Sequence, residues 1–365
     1  MSTDIFIPLK LLHHSSVLEA IKRGSQPVPI LLQIVLSDLC NQDCNFCAYR
    51  TSGYPSNQHF GEVNKVTGII NNNPTRFLSK TKVKEILQDA KDIGVKAIEY
   101  TGGGEPLVHR DHKEIFQFTH ELGLDFSLVT NGTLVTNSNK DILKESVWIR
   151  VSLDAGSAKT YSEIRRVSSD VYSRVTENIK KLVSLRQNKK PTIGISFVVL
   201  KENYTEILEA VKKAKDWGVD YIRLGAVFLN EGPHYYKDIF PQVQDETFKA
   251  MELSDPNFKV INQFNKRWED LSQGNPDYSY CGHMQVNTYI AGDLSVYRCC
   301  ALAYNDKGLI GSLEKKSFKE LWFSSEKQEN FDNFDARSCV RCPFNEKNRL
   351  INYIKKIDPL HVNFV

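Results

Sequence analysis

Short apolar segments rich in β-branched residues alternate with amphipathic segments through residues 30–228. Within the amphipathic segments, apolar side chains recur at the helical period, as at Val83, Ile86 and Leu87. The apolar segments predict six strands, at 30–37, 96–101, 124–130, 147–153, 192–200 and 220–227. Strands that alternate with helices in this way form a parallel sheet through right-handed crossovers. The predicted fold class is therefore α/β, either an open doubly wound sheet or a full or partial barrel.

Two stretches depart from this pattern. Residues 50–78 are rich in Gly, Asn and Pro and are longer than a strand-to-helix connection needs, which is typical of a functional loop. Beyond residue 228 the periodicity weakens, and five cysteines lie in a turn-rich region typical of a small metal-stapled domain. We predict an N-terminal extension (1–29), a main α/β domain (30–228), a connecting segment (229–275), a small metal-binding domain (276–345), and a C-terminal helix and tail (346–365).

Composition and charge exclude several classes of protein. Apolar residues make up 41% and charged residues 25% of the 365 residues, as in an ordinary globular protein with a large core. Lys and Arg number 47 against 44 Asp and Glu, and a net charge of +3 indicates neither a nucleic-acid nor a membrane partner. The N-terminus lacks a basic segment followed by an apolar one, and the most apolar stretch, 29–36, is short. We expect a soluble, cytoplasmic protein.

The eight cysteines fall into two groups. Cys40, Cys44 and Cys47 lie within eight residues of each other, and the other five follow residue 280. In a reducing cytosol, thiols at such short spacings are more often metal ligands or redox groups than disulfides. The first group fits a zinc site completed by His59, or a [4Fe–4S] cluster with one iron left open for a ligand.

A glycine-rich segment, Thr101-Gly-Gly-Gly-Glu105-Pro106, follows the second predicted strand. In a parallel sheet it lies at the same carboxyl edge as the cysteine segment after the first strand. Glycines let a ligand lie against the backbone, and Glu105 can accept a hydrogen bond from an ammonium group. Together the two segments indicate an amino acid-like cofactor that chelates the open iron of a cluster.

The chain resembles the radical S-adenosylmethionine (SAM) superfamily over about residues 30–228. The motifs that carry the resemblance are CNQDCNFC at 40–47, GGEP at 103–106, VTNG at 129–132, VSLD at 151–154 and YSEIR at 161–165. The family's fold implies a partial (β/α)6 TIM-like barrel. The resemblance also implies that Cys40, Cys44 and Cys47 hold a [4Fe–4S] cluster whose open iron binds the amino and carboxylate groups of SAM.

The resemblance assigns further residues to SAM. Gly103, Gly104 and Glu105 match the segment that receives the methionyl ammonium, and Asn131 belongs to the next motif. The remaining matches are Ser152 and Asp154 for the ribose or carboxylate, and Arg165 (with Arg166 as the alternative) for the carboxylate. Phe46 and the sixth-strand segment Tyr221-Ile222-Arg223-Leu224, with Ile222 and Leu224 as the named contacts, are expected to flank adenine. Ser152 also fits an ordinary strand position, Phe46 a core position, Tyr161 simple packing and Arg165 a solvated helix charge.

The later cysteines resemble the twitch domain, a shortened relative of the SPASM domain. The pattern implies that one auxiliary [4Fe–4S] cluster is held by Cys281, Cys299, Cys339 and Cys342, with Cys299 chosen over Cys300 from the family's pattern. Four thiolates leave no iron open, which implies electron transfer or a structural role. A zinc knuckle on the same four thiolates is the alternative.

The resemblance implies reductive cleavage of SAM to a 5′-deoxyadenosyl radical, which abstracts a hydrogen atom from a small molecule such as a sugar, aminocyclitol or nucleoside. A two-electron oxidation is expected first, because the second cluster offers an acceptor for the substrate radical's electron. Epimerisation with hydrogen return from Cys300, decarboxylation or elimination comes next, then peptide modification; a non-catalytic metal-stapled protein is the alternative outside enzymes. The expected electron donor is a flavodoxin or ferredoxin. The loop residues expected beside the substrate are Tyr49, Arg50, Tyr54, Asn57 and His59.

Overall fold

The computed structural model describes residues 5–54, 56 and 77–356. Asn57 and His59 therefore lie outside the described residues, and so does most of the 50–78 loop. The strands are β1 Leu31–Ile34, β2 Ala97–Tyr100, β3 Asp125–Thr130, β4 Trp148–Ser152, β5 Thr192–Val199, β6 Tyr221–Ala226, β7 Lys259–Asn262, β8 Asn287–Ile290, β9 Ser295–Tyr297 and β10 Leu309–Ser312. Strands β1 to β6 pair in parallel and in chain order, so the six predicted strands and the α/β fold class are confirmed.

Helices follow each of these strands, as the periodicity predicts. The α-helices are α1 Ser15–Lys22, α2 Lys80–Ile93, α3 His112–Glu121, α4 Lys140–Leu143, α5 Ala158–Arg165, α6 Asp170–Ser184, α7 Ile207–Asp216, α8 Phe240–Met251, α9 Gln263–Lys266, α10 Trp268–Gln273, α11 His283–Val286, α12 Phe318–Trp322, α13 Ser325–Asp332 and α14 Asn345–Lys355. Helix α2 shows the local causes: the Ser79 side chain accepts from the amide of Lys82 at its start, and Gly94, at φ +98°, ends it. None of the described helices is long and apolar enough to cross a membrane.

The sheet is wider than the six predicted strands. The strand order is β10-β9-β8-β1-β2-β3-β4-β5-β6-β7. The segment predicted as a connection, 229–275, contains α8 and β7, and β7 pairs in parallel with β6. On the other side β8 pairs in parallel with β1, and β9 and β10 continue the sheet in antiparallel pairing. The cysteine-rich region is thus joined to the main sheet through β8, while the domain boundaries proposed from the sequence stay predictions.

The two faces of the sheet differ in chemistry. The helix-covered face carries fully buried apolar residues, among them Leu32, Ile98, Ile149, Ile195 and Leu224, which pack with the apolar residues of the helices. The alternate positions form the other face, here called the inner face, and they include Gln33, Glu99, Arg150, Ser196 and Arg223. Glu99 on β2 and Arg223 on β6 interact electrostatically although three strands lie between them in the sheet. The sheet therefore curves around its inner face, as a partial barrel does.

Candidate active site and iron-sulfur centres

The first three cysteines lie on one loop beyond the carboxyl end of β1. The amide of Cys47 donates to the Cys44 carbonyl (3.2 Å), and the amide of Thr51 donates to the Cys47 carbonyl (2.9 Å). The amide of Asn45 donates to the Ile164 carbonyl (3.0 Å), which ties the loop to the end of α5. Backbone hydrogen bonds therefore hold three partly exposed thiols on one short segment.

The glycine-rich segment packs directly on the start of the cysteine loop. A Cβ atom on Gly104 would lie 2.1 Å from the carbonyl oxygen of Leu39, and one on Gly103 would lie 2.6 Å from Asp38 Oδ1. The amides of Gly104 and Glu105 donate to the carbonyls of Ser37 (3.1 Å) and Leu39 (2.9 Å). The glycine-rich segment and the cysteine loop therefore approach so closely that a side chain at Gly103 or Gly104 would not fit. This packing role comes in addition to the ligand contact that the sequence suggests.

Glu105 is 2% exposed, and donors of the chain itself surround its carboxylate. Its Oε1 accepts from the Thr130 hydroxyl (2.6 Å) and the Leu107 amide (3.1 Å), and its Oε2 accepts from the Asn131 amide (2.7 Å). Burial raises the pKa of Glu105, and these three donors oppose that rise. Glu105 therefore joins the glycine-rich segment to the end of β3, and its contact with the SAM ammonium stays a prediction.

The Glu105→Gln substitution tests this anchoring role. It replaces a carboxylate oxygen with an amide that cannot accept from a backbone N–H, so at least one charge-assisted hydrogen bond is lost. We expect the free energy of unfolding of the SAM-free protein to fall by about 1.5–3 kcal/mol, and SAM to bind more weakly because the glycine-rich segment shifts. Thermal melting and equilibrium binding measure the two effects, with the exposed Glu145→Gln as control. Unchanged melting would contradict the anchoring role, and an unchanged SAM dissociation constant would remove Glu105 from the SAM site.

Asn131 contacts the cysteine loop from the end of β3. Its Nδ2 donates to Asn41 Oδ1 (2.7 Å) and lies 3.9 Å from Cys40 Sγ. Its Oδ1 accepts from the amide (3.0 Å) and the hydroxyl (2.7 Å) of Thr133. The side chain thus positions the loop beside Cys40, and a direct contact with SAM stays a prediction.

Arg165 is 5% exposed and lies between the cysteine loop and β4. Its Nη2 forms an ion pair with Asp154 and donates to the carbonyl of Ser152 (2.8 Å). Its Nη1 donates to Gln42 Oε1 (3.1 Å) and to Cys44 Sγ (3.4 Å). Burial alone would lower the pKa of Arg165, but Cys44, Asp154 and Tyr161 raise it overall, so the guanidinium is charged.

These contacts refine the predicted SAM set. The carboxylate of Asp154 forms an ion pair with Arg165 and accepts a hydrogen bond from the amide of Val198 (2.6 Å). Arg165 Nε has no hydrogen-bond partner among the described residues. The alternative, Arg166, is exposed and pairs with Asp43 (3.1 Å). Ser152 lies on the inner face and is partly exposed. Direct SAM contacts of Ser152, Asp154 and Arg165 therefore stay predictions.

The predicted adenine contacts from β6, Ile222 and Leu224, stay predictions. Both side chains are 0% exposed and belong to the core between the sheet and its helices, so a contact with adenine would come from their backbone. The pleat places alternate residues on opposite faces, so the side chain of Arg223 lies on the inner face, as does that of Tyr221. The alternation of apolar and charged residues along β6 is the signal that could have shown this.

Phe46 lies on the cysteine loop, and its contact with adenine stays a prediction. Its ring lies 5.4 Å from the guanidinium carbon of Arg165, a cation–π distance. It also lines a pocket of about 500 Å³ next to the cysteine loop, together with Leu200 and Val227. Leu200 and Val227 directly follow β5 and β6, and no local pattern of residues singles them out.

The second group of cysteines is also brought together. Cys281, Cys299 and Cys339 interact electrostatically with one another and with Cys342. Cys300 interacts with its neighbour Cys299 and with Glu99 and Arg267 of the interior. The Cys342 sulfur accepts from the Phe344 amide (3.4 Å) and from Asn348 Nδ2 (3.5 Å). Four thiols thus gather in one place, and this arrangement supports Cys299 over Cys300 as the fourth ligand.

Both thiol groups fit iron-sulfur clusters by their donor chemistry. Burial raises the pKa of Cys40 and of Cys281 to about 12, so the free thiols are neutral and cluster binding releases protons. Among residues 5–54, 56 and 77–356, no three His, Cys, Asp or Glu side chains lie close enough together to hold a single metal ion. Thiol-only sets of three and four suit [4Fe–4S] clusters with and without an open iron.

Comparison with known proteins agrees with these sites. The sequence model of the Radical SAM superfamily matches residues 34–214, and that of the SPASM iron-sulfur cluster-binding domain matches residues 281–343. A probable GTP 3′,8-cyclase of Saccharolobus islandicus is 30% identical over 195 residues, which are 53% of this chain and 55% of the relative. The GTP 3′,8-cyclase of Clostridium acetobutylicum is 26% identical over 211 residues, 56% of this chain and 59% of the relative. The chain spans about half the length of the curated relatives it matches.

Solved structures share the fold. Streptococcus suis SuiB bound to S-adenosylmethionine superposes with a TM-score of 0.64 at 18% identity, over 96% of this chain and 80% of SuiB. The structure of anSMEcpe with bound AdoMet gives a TM-score of 0.57 at 17% identity, over 91% and 92%. The chain is an α/β protein with two iron-sulfur sites, and it belongs to the radical SAM superfamily with a C-terminal SPASM domain. Its cofactors are SAM and the [4Fe–4S] cluster that binds SAM, and auxiliary iron-sulfur cluster binding in the SPASM domain adds to these two.

Proposed function

We propose that this enzyme abstracts a hydrogen atom from a small molecule held on the inner face of the sheet and oxidises it by two electrons. The cluster and SAM, when bound, supply a 5′-deoxyadenosyl radical. The observation that carries the proposal is the pair of thiol groups, three cysteines on the β1 loop and four in the SPASM domain, with a polar interior beside them. The predicted residues Cys40, Cys44 and Cys47 hold the first cluster in this proposal.

The path from the cysteine loop to the interior passes Tyr49. This side chain interacts electrostatically with Cys47 on one side and with Glu99 and Cys300 on the other. Its ring stacks on Tyr289 of β8, with ring centroids 6.4 Å apart. Aromatic rings on this path exclude water and other hydrogen sources from the radical. A substrate carbon next to Tyr49 would lie between the cysteine loop and the inner face.

The second thiol group supports an oxidative outcome. Cys281, Cys299, Cys339 and Cys342 leave no coordination site for substrate, so the auxiliary cluster they hold can accept an electron. The substrate loses one hydrogen atom to the radical, then one electron to that cluster and one proton to a base or to water. A reduced flavodoxin or ferredoxin is the proposed donor of the electron that cleaves SAM. The curated relatives are named as enzymes that act on GTP, which supports a nucleoside-type or other small substrate.

A redox-neutral reaction is the second candidate, because Cys300 lies in the interior. Its thiol interacts electrostatically with Glu99, Arg267 and Lys347, all outside the four-thiol group. There its thiol would return a hydrogen atom to a substrate radical, as an epimerase requires, and the thiyl radical left on Cys300 would take one electron from the flavodoxin or ferredoxin and one proton from water. The product would then stay at the oxidation level of the substrate.

Release of 5′-deoxyadenosine tests the enzymatic assignment. Anaerobically reconstituted protein, reduced with dithionite and supplied with SAM, should form 5′-deoxyadenosine and methionine in equal amounts. The same protein without reductant is the control, because cleavage consumes an electron. A fully reconstituted, reduced protein that binds SAM and releases no 5′-deoxyadenosine would favour the non-catalytic alternative. Panels of nucleotides, sugars and peptides, scored by acceleration of this release, would then identify the substrate class.

A further inference from the structure

The inner face carries cations where a packed interior would carry apolar side chains. Arg150 on β4 and Arg223 on β6 are partly exposed, while their neighbours on the helix-covered face, Ile149, Val151 and Leu224, are fully buried. Their guanidinium carbons lie 5.9 Å and 5.5 Å from the ring of Phe6, which covers this end of the interior. The two arginines thus converge on one place inside the curved sheet.

Arg150 and Arg223 differ from two other arginines of limited exposure, Arg165 and Arg186, which have carboxylate partners. Arg165 pairs with Asp154, and Arg186 pairs with Asp220 at 2.6 Å. The structure shows no ion pair of Arg150 or Arg223 within residues 5–54, 56 and 77–356, and the Nε atoms of both are buried without a hydrogen-bond partner there. The one side-chain hydrogen bond seen for Arg223 goes from Nη2 to the Ser196 hydroxyl (3.0 Å). Glu99 attracts Arg223 without forming an ion pair with it, and Arg150 donates to the Tyr221 hydroxyl. Partly buried cations whose hydrogen-bond partners are neutral are unfavourable, so the two arginines indicate a missing anion.

More positive charge adds to the same interior. Arg223 interacts electrostatically with Arg150 and with Arg267, and burial together with these two cations lowers the pKa of Arg223 to about 9. Lys347 of α14 also faces this interior, where it interacts with Glu99 and Cys300. Arg150, Arg223, Arg267 and Lys347 are therefore linked to Glu99 and, beside Arg267, to Asp270, and Lys347 also interacts with Lys10. Among these side chains positive charge exceeds negative charge, which favours an anionic ligand.

We propose that the substrate carries a phosphate group that Arg150 and Arg223 bind on the inner face of the sheet. Two guanidinium groups suit phosphate, because its three free oxygens can accept hydrogen bonds from the N–H donors of both arginines. A carboxylate has two oxygens, and the paired N–H donors of a single arginine already occupy both. The phosphate lies deep in the interior, and the rest of the substrate extends past Glu99 toward Tyr49 and the cysteine loop. The identification of the bound anion as part of the substrate rests on the proposed function. The existence of the anion site does not depend on it.

Binding of inorganic pyrophosphate to the full-length, anaerobically reconstituted protein tests the site. Arg150→Gln and Arg223→Gln should each weaken pyrophosphate binding between about tenfold and a hundredfold, the effect of losing charge-assisted hydrogen bonds. Arg174→Gln is the matched control, because Arg174 is exposed and pairs with Asp170 on helix α6. Titration calorimetry measures the affinities, and SAM binding to each variant reports that the active site is intact.

Each outcome decides the proposal. Three results would each overturn it. The wild-type protein fails to bind pyrophosphate in the millimolar range, the glutamine variants bind pyrophosphate as tightly as the wild type, or the protein binds succinate more tightly than pyrophosphate. If the glutamine variants do not fold, Arg223→Lys is the substitute. It keeps the positive charge but loses the bidentate guanidinium, so it should retain only part of the affinity for pyrophosphate. Pyrophosphate binding with no SAM cleavage would refute the proposed function and leave the phosphate site standing.

Discussion

Replacement of Cys40, Cys44 and Cys47 together by Ala should abolish SAM cleavage and remove about half of the iron. The wild-type protein should bind close to eight irons after anaerobic reconstitution, about four in each cluster. The three thiols lie on one loop and have no substitute among the described cysteines, since the other five gather in or beside the SPASM site. Iron analysis and 5′-deoxyadenosine release measure the two effects.

Cys300→Ala is the matched control for this experiment. Cys300 is a partly buried cysteine like the others, and it belongs to neither proposed ligand set, so its loss should leave about eight irons and normal SAM cleavage. About four irons in the unmutated protein, with zinc in the SPASM site, would contradict the auxiliary cluster and leave the first cluster standing. SAM cleavage by the triple variant would contradict the assignment of the first cluster.

The sequence allowed the prediction of features that depend on near neighbours. The spacing of Cys40, Cys44 and Cys47 is local, and the helical period of Val83, Ile86 and Leu87 is local too. Strands β7 and β8 were not predicted because they lie beyond residue 228, where the periodicity weakens, and because their pairing with β6 and β1 joins segments distant in the chain. The domain that follows the main sheet could be predicted, but not its direct attachment to β1.

The direction of side chains was harder to predict than the presence of strands. Ile222 and Leu224 lie on the predicted strand, but the pleat turns their side chains toward the helices, so an adenine contact stays a prediction for their backbone. The convergence of Arg150 and Arg223 depends on the curvature of the whole sheet, which no local pattern encodes. Glu105 shows the same limit, since its three donors come from the turn at Leu107 and from the end of β3.

The fate of the second electron gives the other large expected effect. A double variant, Cys339→Ala with Cys342→Ala, should still cleave SAM slowly but form almost no oxidised product, because the auxiliary cluster is the proposed acceptor. Loss of the Cys342 sulfur also leaves the Phe344 amide and Asn348 Nδ2 without their acceptor, so some destabilisation near α14 is expected. Two controls are therefore needed for the double variant. Its circular dichroism spectrum must be that of the folded protein, and it must retain about four irons, the content of the first cluster.

The products formed by the intact enzyme decide between oxidation and hydrogen return. In deuterated water, an oxidised product without solvent deuterium at the attacked carbon would support transfer of the electron to the auxiliary cluster. A product at the substrate's own oxidation level that carries one solvent-derived deuterium would contradict the oxidative proposal, because a thiol exchanges its proton with solvent before it returns a hydrogen atom. Cys300 lies in the interior beside Glu99 and is the thiol placed to do so. In that case Cys300→Ala should stop product formation while 5′-deoxyadenosine release continues, which an electron-transfer role of the SPASM site would not produce.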